Sequence, residues 1–305
     1  MNVYKNISRL PAFKNSVITI GTFDGVHLGH VQILEQLKKE AEEINGTMVL
    51  VTFYPHPKQV INSKQVFMLN TPLEKYKLLE NHGIEHIVEV PFNRDFADQP
   101  AKEYISEFLV NNFHPHTIII GYDHKFGKNR EGNYKLLESE SNKYNFIVKE
   151  IPEQVIRNIT VSSTVIREAL SVGDVKKANQ CLGYNYQLTG IVVQGDKRGR
   201  TIGFPTANIQ VLDKNKLIPA NGVYVVNVKV ENKLFKGMLN IGNRPTFNGI
   251  SNSIEVYIID FNEDIYGKEI TVEFLKWLRP EVKFNSLDEL KSQLTKDLEQ
   301  TKIFK

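Results

Sequence analysis

"SVITIGTFDGVHLGHVQILEQLKKEAEEI" spans Ser16 to Ile44. The apolar run Val17–Ile20 reads as a buried strand. After it, Leu34, Leu37, Ala41 and Ile44 recur at helical spacing and predict an amphipathic helix. Between the two lies "GTFDGVHLGH", Gly21 to His30, with three glycines, two histidines and an aspartate. A strand, a glycine-rich turn and a helix in that order form half of a βαβ unit, so this stretch sets the fold class.

The same alternation continues to about Gly183. "TMVLVTF", "IEHIVEVPF" and "HTIIIG" read as strands, and "LEKYKLLENHG" and "AKEYISEFLVNNF" as helices, the first closing on Gly83. Alternating strands and helices predict a parallel sheet covered on both faces, with ligands bound beyond the carboxyl ends of the strands. Both "GTFDGVHLGH" and "GYDHKFG" (Gly121–Gly127) fall at such ends. From about Gln187 the period changes to two. "GVYVVNVKV" sets Tyr224, Val226, Val228 and Val230 against Asn227 and Lys229. "SIEVYIIDF" and "EITVEFLKWL" are further strands, joined by "NEDIYGK" with its turn glycine. This half reads as an antiparallel barrel or sandwich ending in a helix, whose start is the capping box "SLDE" and whose apolar stripe is Leu287, Leu290, Leu294 and Leu298. The expected boundary lies in "CLGYNYQ", giving domains 1–184 and 185–305.

A length of 305 residues favours two domains. The single cysteine, Cys181, excludes an internal disulfide and a thiolate metal cluster. A net charge of +3 suits anionic ligands and is too weak to indicate nucleic acid by itself. The first residues lack the apolar core of a signal peptide, and no apolar run approaches the roughly 18 residues of a membrane span. A cytoplasmic protein without a membrane partner is expected; a homo-oligomer is compatible with the sequence.

The turn "GTFDGVHLGH" has three chemical uses open to it: metal binding, acid–base work or a phosphate grip. It contains neither G-x-G-x-x-G nor G-x-x-x-x-G-K-[ST]. A metal would need a third ligand that is not evident. Glycines, two histidines one helical turn apart (His27 and His30) and a helix N-terminus together favour phosphate. The stretch resembles the G-x-F-D-x-x-H-x-G-H signature of the HxGH nucleotidyltransferase superfamily, which has a Rossmann-type fold. The resemblance implies that His27 and His30 bind a nucleoside triphosphate and stabilise its transition state, with Gly21, Phe23, Asp24 and Gly29 in the nucleotide site. "VSSTVIREAL" (Val161–Leu170) resembles the superfamily's second motif. There Ser162, Ser163 and Thr164 offer hydroxyls at a helix start, and Arg167 a fork for phosphate oxygens.

The acceptor is suggested by "FYPHP" (Phe53–Pro57) and "GYDHKFGKNREGN" (Gly121–Asn133), which resemble the FMN adenylyltransferase module of bifunctional bacterial riboflavin biosynthesis proteins. On that pattern Asp123 and Phe126 lie beside the flavin and Arg130 near phosphate, whereas His124 departs from the commoner aromatic residue. In the second half, "GIVVQGDKRGRTIGFPTANI" places Gly195, Lys197, Gly199 and Gly203 in a basic, flexible loop of the kind that lids a triphosphate. Thr206 and Asn208, two apart on an extended segment, offer hard oxygens to Mg²⁺. Glu255 is an acid in an otherwise apolar strand, a solvent-facing position or a general base. "GFPTAN", "NGVYVV", "LNIGNRPTF", "IEVYIIDF" and "LRPEVKFNSLDELKSQLTKD" resemble the riboflavin kinase module of the same family. This implies that Glu255 is the catalytic base and that Thr206 and Asn208 hold the metal and nucleotide. The expectation is therefore an ATP- and Mg²⁺-using enzyme that converts riboflavin to FMN and FMN to FAD, in an α/β domain followed by an antiparallel barrel. Two alternatives are a kinase fused to an adenylyltransferase for another phosphate acceptor, and a flavin-binding regulator that contacts nucleic acid.

Overall fold

The computed structural model describes every residue except 62–64, 152–160, 196–197, 232, 247–248 and 305, and describes 198, 244–246 and 249–252 by backbone alone. The chain divides into two compact units, Met1–Ser163 and Thr164–Lys305.

The first unit is built on six strands: β1 (Asn2–Tyr4), β2 (Ser16–Ile20), β3 (Met48–Tyr54), β4 (His86–Pro91), β5 (Pro115–Gly121) and β6 (Ile147–Ile151). They pair in parallel in the order β1-β4-β3-β2-β5-β6. Side chains alternate between two cores. Ile18, Ile20, Val49, Val51, Ile118 and Ile120 face the helical stretch 101–113. Val17, Leu50, Ile87 and Ile119 face α1 (Leu28–Glu43) and α2 (Pro72–Asn81). Every residue of β2 is buried. Each of its Val and Ile side chains contributes about 1.5–3 kcal/mol relative to exposure, which makes this strand a rigid mount for the turn that follows. After β2 the chain steps outward through β3 and β4, then returns to the far side of β2 with β5. That reversal is the switch point at which an open parallel sheet holds its ligand, and the two motifs expected there follow β2 and β5.

Thr71 and Glu74 form a reciprocal capping box on α2, with Pro72 at its first position. The stretch 101–113 is helical, but with a π-helical segment at Tyr104–Val110. Strands β1 and β6 and the helix α3 (Tyr134–Tyr144) add to the elements expected.

The second unit carries α4 (Ser163–Ser171, but for its first residue) and α5 (Val175–Leu182), followed by a closed barrel. Its strands are β7 (Gln187–Val193), β8 (Ala207–Gln210), β9 (Gly222–Val230), β10 (Lys233–Thr246), β11 (Gly249–Ile258) and β12 (Glu269–Arg279). They close antiparallel in the order β10-β11-β8-β7-β12-β9, which settles barrel over sandwich. β11 and β12 are consecutive but not paired: β11 lies between β10 and β8, β12 between β7 and β9. The terminal helix α6 (Leu287–Ile303) begins at Ser286, whose Oγ accepts from the Glu289 amide at 3.1 Å. The Glu289 carboxylate receives the Asn285 N–H instead of that of Ser286. Its apolar stripe is shorter than the heptad spacing suggests. Leu287 is 69% exposed, and the buried positions of α6 are Asp297 and Thr301. Asp297 is tied to Arg279 of β12 through Nε and Nη2 at 2.8–3.2 Å.

Candidate active sites

The first site grows from the end of β2. Gly21 donates its N–H to the Val51 carbonyl at 3.0 Å, and the chain then turns sharply. Phe23, Gly25 and Val26 have φ of 48°, 89° and 37°. Left-handed backbone is ordinary for glycine but costs about 1–3 kcal/mol at Phe or β-branched Val, so surrounding contacts must hold it. Asp24 supplies one brace: its buried Oδ1 accepts the Leu69 and Asn70 N–H groups at 2.9 and 3.3 Å. Its carbonyl accepts the Ser163 hydroxyl at 2.9 Å, which joins the second motif to the first.

His27 is the N-cap of α1, a position usually held by Ser, Thr, Asp or Asn. Its Nδ1 accepts the His30 N–H at 3.3 Å, which places the ring proton on Nε2. The His27 and His30 rings stack with centroids 3.7 Å apart and 14° between planes, and Phe23 backs His30 at 4.8 Å. His30 Nδ1 is buried without a hydrogen-bond partner among the described residues. Burial, then His27, then Lys75 push the His30 pKa well below the usual histidine value, so the ring is neutral. Gly29 lies buried in the first turn of α1. Ser162 is exposed and Ser163 half-buried; Thr164, exposed, and Arg167, half-buried, belong to the second unit.

Lys75 was not legible as part of this site. It sits on α2, only 8% exposed, and its Nζ donates to Thr52 Oγ1 at 2.9 Å and to the Thr22 carbonyl at 3.4 Å. The helix inverts its sequence pattern here: Leu73 is 77% exposed while Lys75 points inward.

The segment after β5 forms a tight loop in which Phe126 and Gly132 exchange backbone hydrogen bonds. Phe126 is buried and stacks on Tyr104 at 4.9 Å, in an aromatic row that continues through Phe96 to Phe53. Asp123 and Arg130 are exposed. His124 is tilted against Phe126 at 5.9 Å, with Nε2 buried and unpartnered among the described residues. Burial lowers its pKa to about 4, Asp123 opposing and Arg130 assisting. A histidine that is neutral when folded and protonates near pH 6.5 when unfolded takes up more protons in the unfolded chain. Stability is therefore lost as pH falls below about 6.5, at about 1.4 kcal/mol per pH unit for each such histidine. His124→Phe is expected to reduce that slope between pH 6.5 and 5 in urea-unfolding titrations; an unchanged slope would show that His124 is already protonated in the fold.

The second site lies on the outer face of the barrel. Phe204, Thr206 and Asn208 alternate toward one side. Asn208 is the register partner of Glu255, and Glu255 that of Asn240, so three polar residues cross strands β8, β11 and β10 in a row. Thr206 Oγ1 donates to Glu255 Oε2 at 3.1 Å. Phe204 and Tyr257 meet edge to face at 5.3 Å beside them. Glu255 is therefore neither isolated nor simply solvated. Asn240 is an addition to the residues expected, as its strand "LNIGN" offered no chemical cue. Gly195 and Gly199 are needed for closeness. A Cβ at Gly195 would stand 2.2 Å from Asn208 Nδ2, and one at Gly199 2.2 Å from the Phe204 carbonyl. Gly203 has φ of 86°. Lys197 lies outside the described residues. Gly195→Ala is expected to displace the Asn208 amide and slow the chemistry of this site about 10²-fold, with the first site unaffected; equal rates in single-site assays would show that Asn208 has room to give.

Residues 10–165 match the FAD synthetase family and residues 182–304 the riboflavin kinase family. The bifunctional riboflavin kinase/FMN adenylyltransferase of Haemophilus influenzae is 40% identical over 94% of this chain and 93% of its own. That of Bacillus subtilis is 40% identical over 92% and 90%, and that of Escherichia coli K12 37% identical over 96% and 93%. A Streptococcus pneumoniae crystal structure titled a macrolide-efflux protein superposes with a TM-score of 0.88 at 32% identity, covering 100% of this chain and 99% of that one. Among the described residues, no helix is long and apolar enough to cross a membrane. The chain belongs to the bifunctional riboflavin kinase/FMN adenylyltransferase family.

Proposed function

We propose that the two halves of that activity divide at about residue 184, with adenylyl transfer at the Gly21–His30 turn and riboflavin phosphorylation on the outer face of the barrel. The observation that carries this is the separate geometry of the two sites: a helix N-terminus with two stacked histidines in one, and a carboxylate hydrogen-bonded to Thr206 in the other. Riboflavin presents a neutral hydroxyl to the γ-phosphate of ATP, and that hydroxyl must lose a proton. Glu255, beside Thr206 and Asn208, accepts it. FMN then presents an ionised phosphate to the α-phosphate of a second ATP, and pyrophosphate leaves. No base is required, so His27 and His30 serve as N–H donors to phosphate oxygens together with the positive end of α1. Ser162 and Ser163 complete the triphosphate grip, Thr164 and Arg167 are phosphate-binding residues on the family pattern, and Gly195, Lys197, Gly199 and Gly203 cover the nucleotide of the kinase. Asp123, Phe126 and Arg130 border the flavin of the first site.

Thr206 Oγ1 and Asn208 Oδ1 fit Mg²⁺, a hard cation that keeps waters and shares phosphate oxygens, and Glu255 adds negative charge beside them. The metal would lower the charge of the transferring phosphate. A cytoplasmic location and the absence of nucleic-acid and membrane partners complete the reading, and a homo-oligomer remains compatible with it. Adenylyl transfer to a different phosphate acceptor is not favoured. The test follows riboflavin with Mg-ATP by chromatography: FMN is expected to rise and then give way to FAD, and pantetheine phosphate offered in place of FMN should yield no adenylylated product. Riboflavin consumed without FAD appearing would contradict the reading.

A further inference from the structure

Lys75 is a buried cation without an ion pair among the described residues. Its two hydrogen-bond partners, the Thr22 carbonyl and the Thr52 hydroxyl, are neutral. The two carboxylates nearest in its field are engaged elsewhere: Asp24 Oδ1 with the Leu69 and Asn70 amides, Glu89 with the Tyr76 hydroxyl and with Lys5 at 3.4 Å. An apolar side chain would fill the same slot more cheaply, since an uncompensated charge inside a protein is costly. Glu89 and Asp24 favour the charge through their fields, but neither forms an ion pair with it, so an anion at the turn would be bound favourably. Its partner Thr22 lies in the turn, directly before Phe23, whose left-handed backbone carries the ring that backs His30.

We propose that Lys75 is a positioning residue for adenylyl transfer: it holds the Thr22 carbonyl, and its buried positive charge, set behind the Gly21–His30 turn, is neutralised by the triphosphate. The inference rests on the reading of that turn as the triphosphate site. Burial lowers the Lys75 pKa to about 8, with Glu89 and Asp24 opposing, so the group stays mostly protonated at neutral pH. Its field in turn helps to keep His30 neutral. Cationic character in the turn thus comes from Lys75 and the helix end, and the histidines contribute directed N–H donors.

The test is FAD formation from FMN and ATP by the full-length chain, with inorganic tripolyphosphate and adenosine as competing inhibitors. Lys75→Met is expected to lower kcat at least about tenfold and to raise the inhibition constant of tripolyphosphate at least about tenfold, leaving that of adenosine unchanged; Lys75→Arg, which keeps the cation, should recover most of both losses. A purely structural role would weaken both inhibitors alike, with no rescue by arginine, and would overturn the proposal, as would unchanged tripolyphosphate inhibition. If Lys75→Met does not fold by circular dichroism, Lys75→Gln is read by the same two constants. His30→Ala separates the layers. If it weakens tripolyphosphate and Lys75→Met does not, only the role of Lys75 fails. If neither does, and His30→Ala also keeps the wild-type rate of FAD formation, the turn is not the triphosphate site.

Discussion

His30→Ala is expected to lower FAD formation from added FMN by about 10²–10³-fold, the usual loss when one preorganised donor to a developing oxyanion is removed. Riboflavin phosphorylation should continue at the wild-type rate, so FMN accumulates. The size of the effect follows from the placement of the ring. The His30 ring is held on two sides, by Phe23 and by the stacked His27, and its backbone N–H is tied to His27 Nδ1. It has little freedom to lose on binding, so its hydrogen bond to phosphate is preorganised. Because burial keeps the ring neutral, the variant loses a directed donor and no net charge. The loss should therefore fall mainly on kcat and less on the KM for ATP. Wild-type FAD synthesis by His30→Ala, measured with FMN supplied, would remove the residue from the transition state.

Glu255→Gln should have an effect at least as large on the other reaction. Glutamine is isosteric and can still accept the Thr206 hydroxyl that Glu255 holds at 3.1 Å, so the local fold is kept while the proton acceptor is lost. General-base removal is worth about 10²–10⁴-fold, and FMN formation should fall by that amount. FAD formation from added FMN should be unaffected. A variant that loses both activities while remaining folded would contradict two independent sites.

Much of this was legible in the sequence because the decisive signals are local. The apolar run before Gly21 and the helical spacing after it specify the βαβ half-unit, and period-two alternation in "GVYVVNVKV" specifies a strand of the barrel. Thr206 and Glu255 are 49 residues apart in sequence and meet at one hydrogen bond; register brings them together, and only the family resemblance suggested it beforehand. Asn240 enters by the same register and carried no motif. Lys75 was hidden for another reason. In "LEKYKLLENHG" a lysine reads as solvent-facing and a leucine as core, yet packing beneath the turn reverses them. A buried charge is the kind of local exception that pattern reading cannot find, because its cause lies in another part of the chain. Asp24 shows the opposite shift: it falls on a nucleotide-site motif, and the structure gives it a bracing role as well, holding residues 69 and 70.

The central claim is that one polypeptide carries two separate active sites, the first reaction's FMN being the substrate of the second. It is tested most directly by mixing Glu255→Gln and His30→Ala chains with riboflavin and Mg-ATP. Alone, the first should leave riboflavin unchanged and the second should stop at FMN. Together they should produce FAD, because FMN released by one chain is adenylylated by the other. A mixture that accumulates FMN without FAD, although Glu255→Gln converts added FMN when alone, would contradict the account.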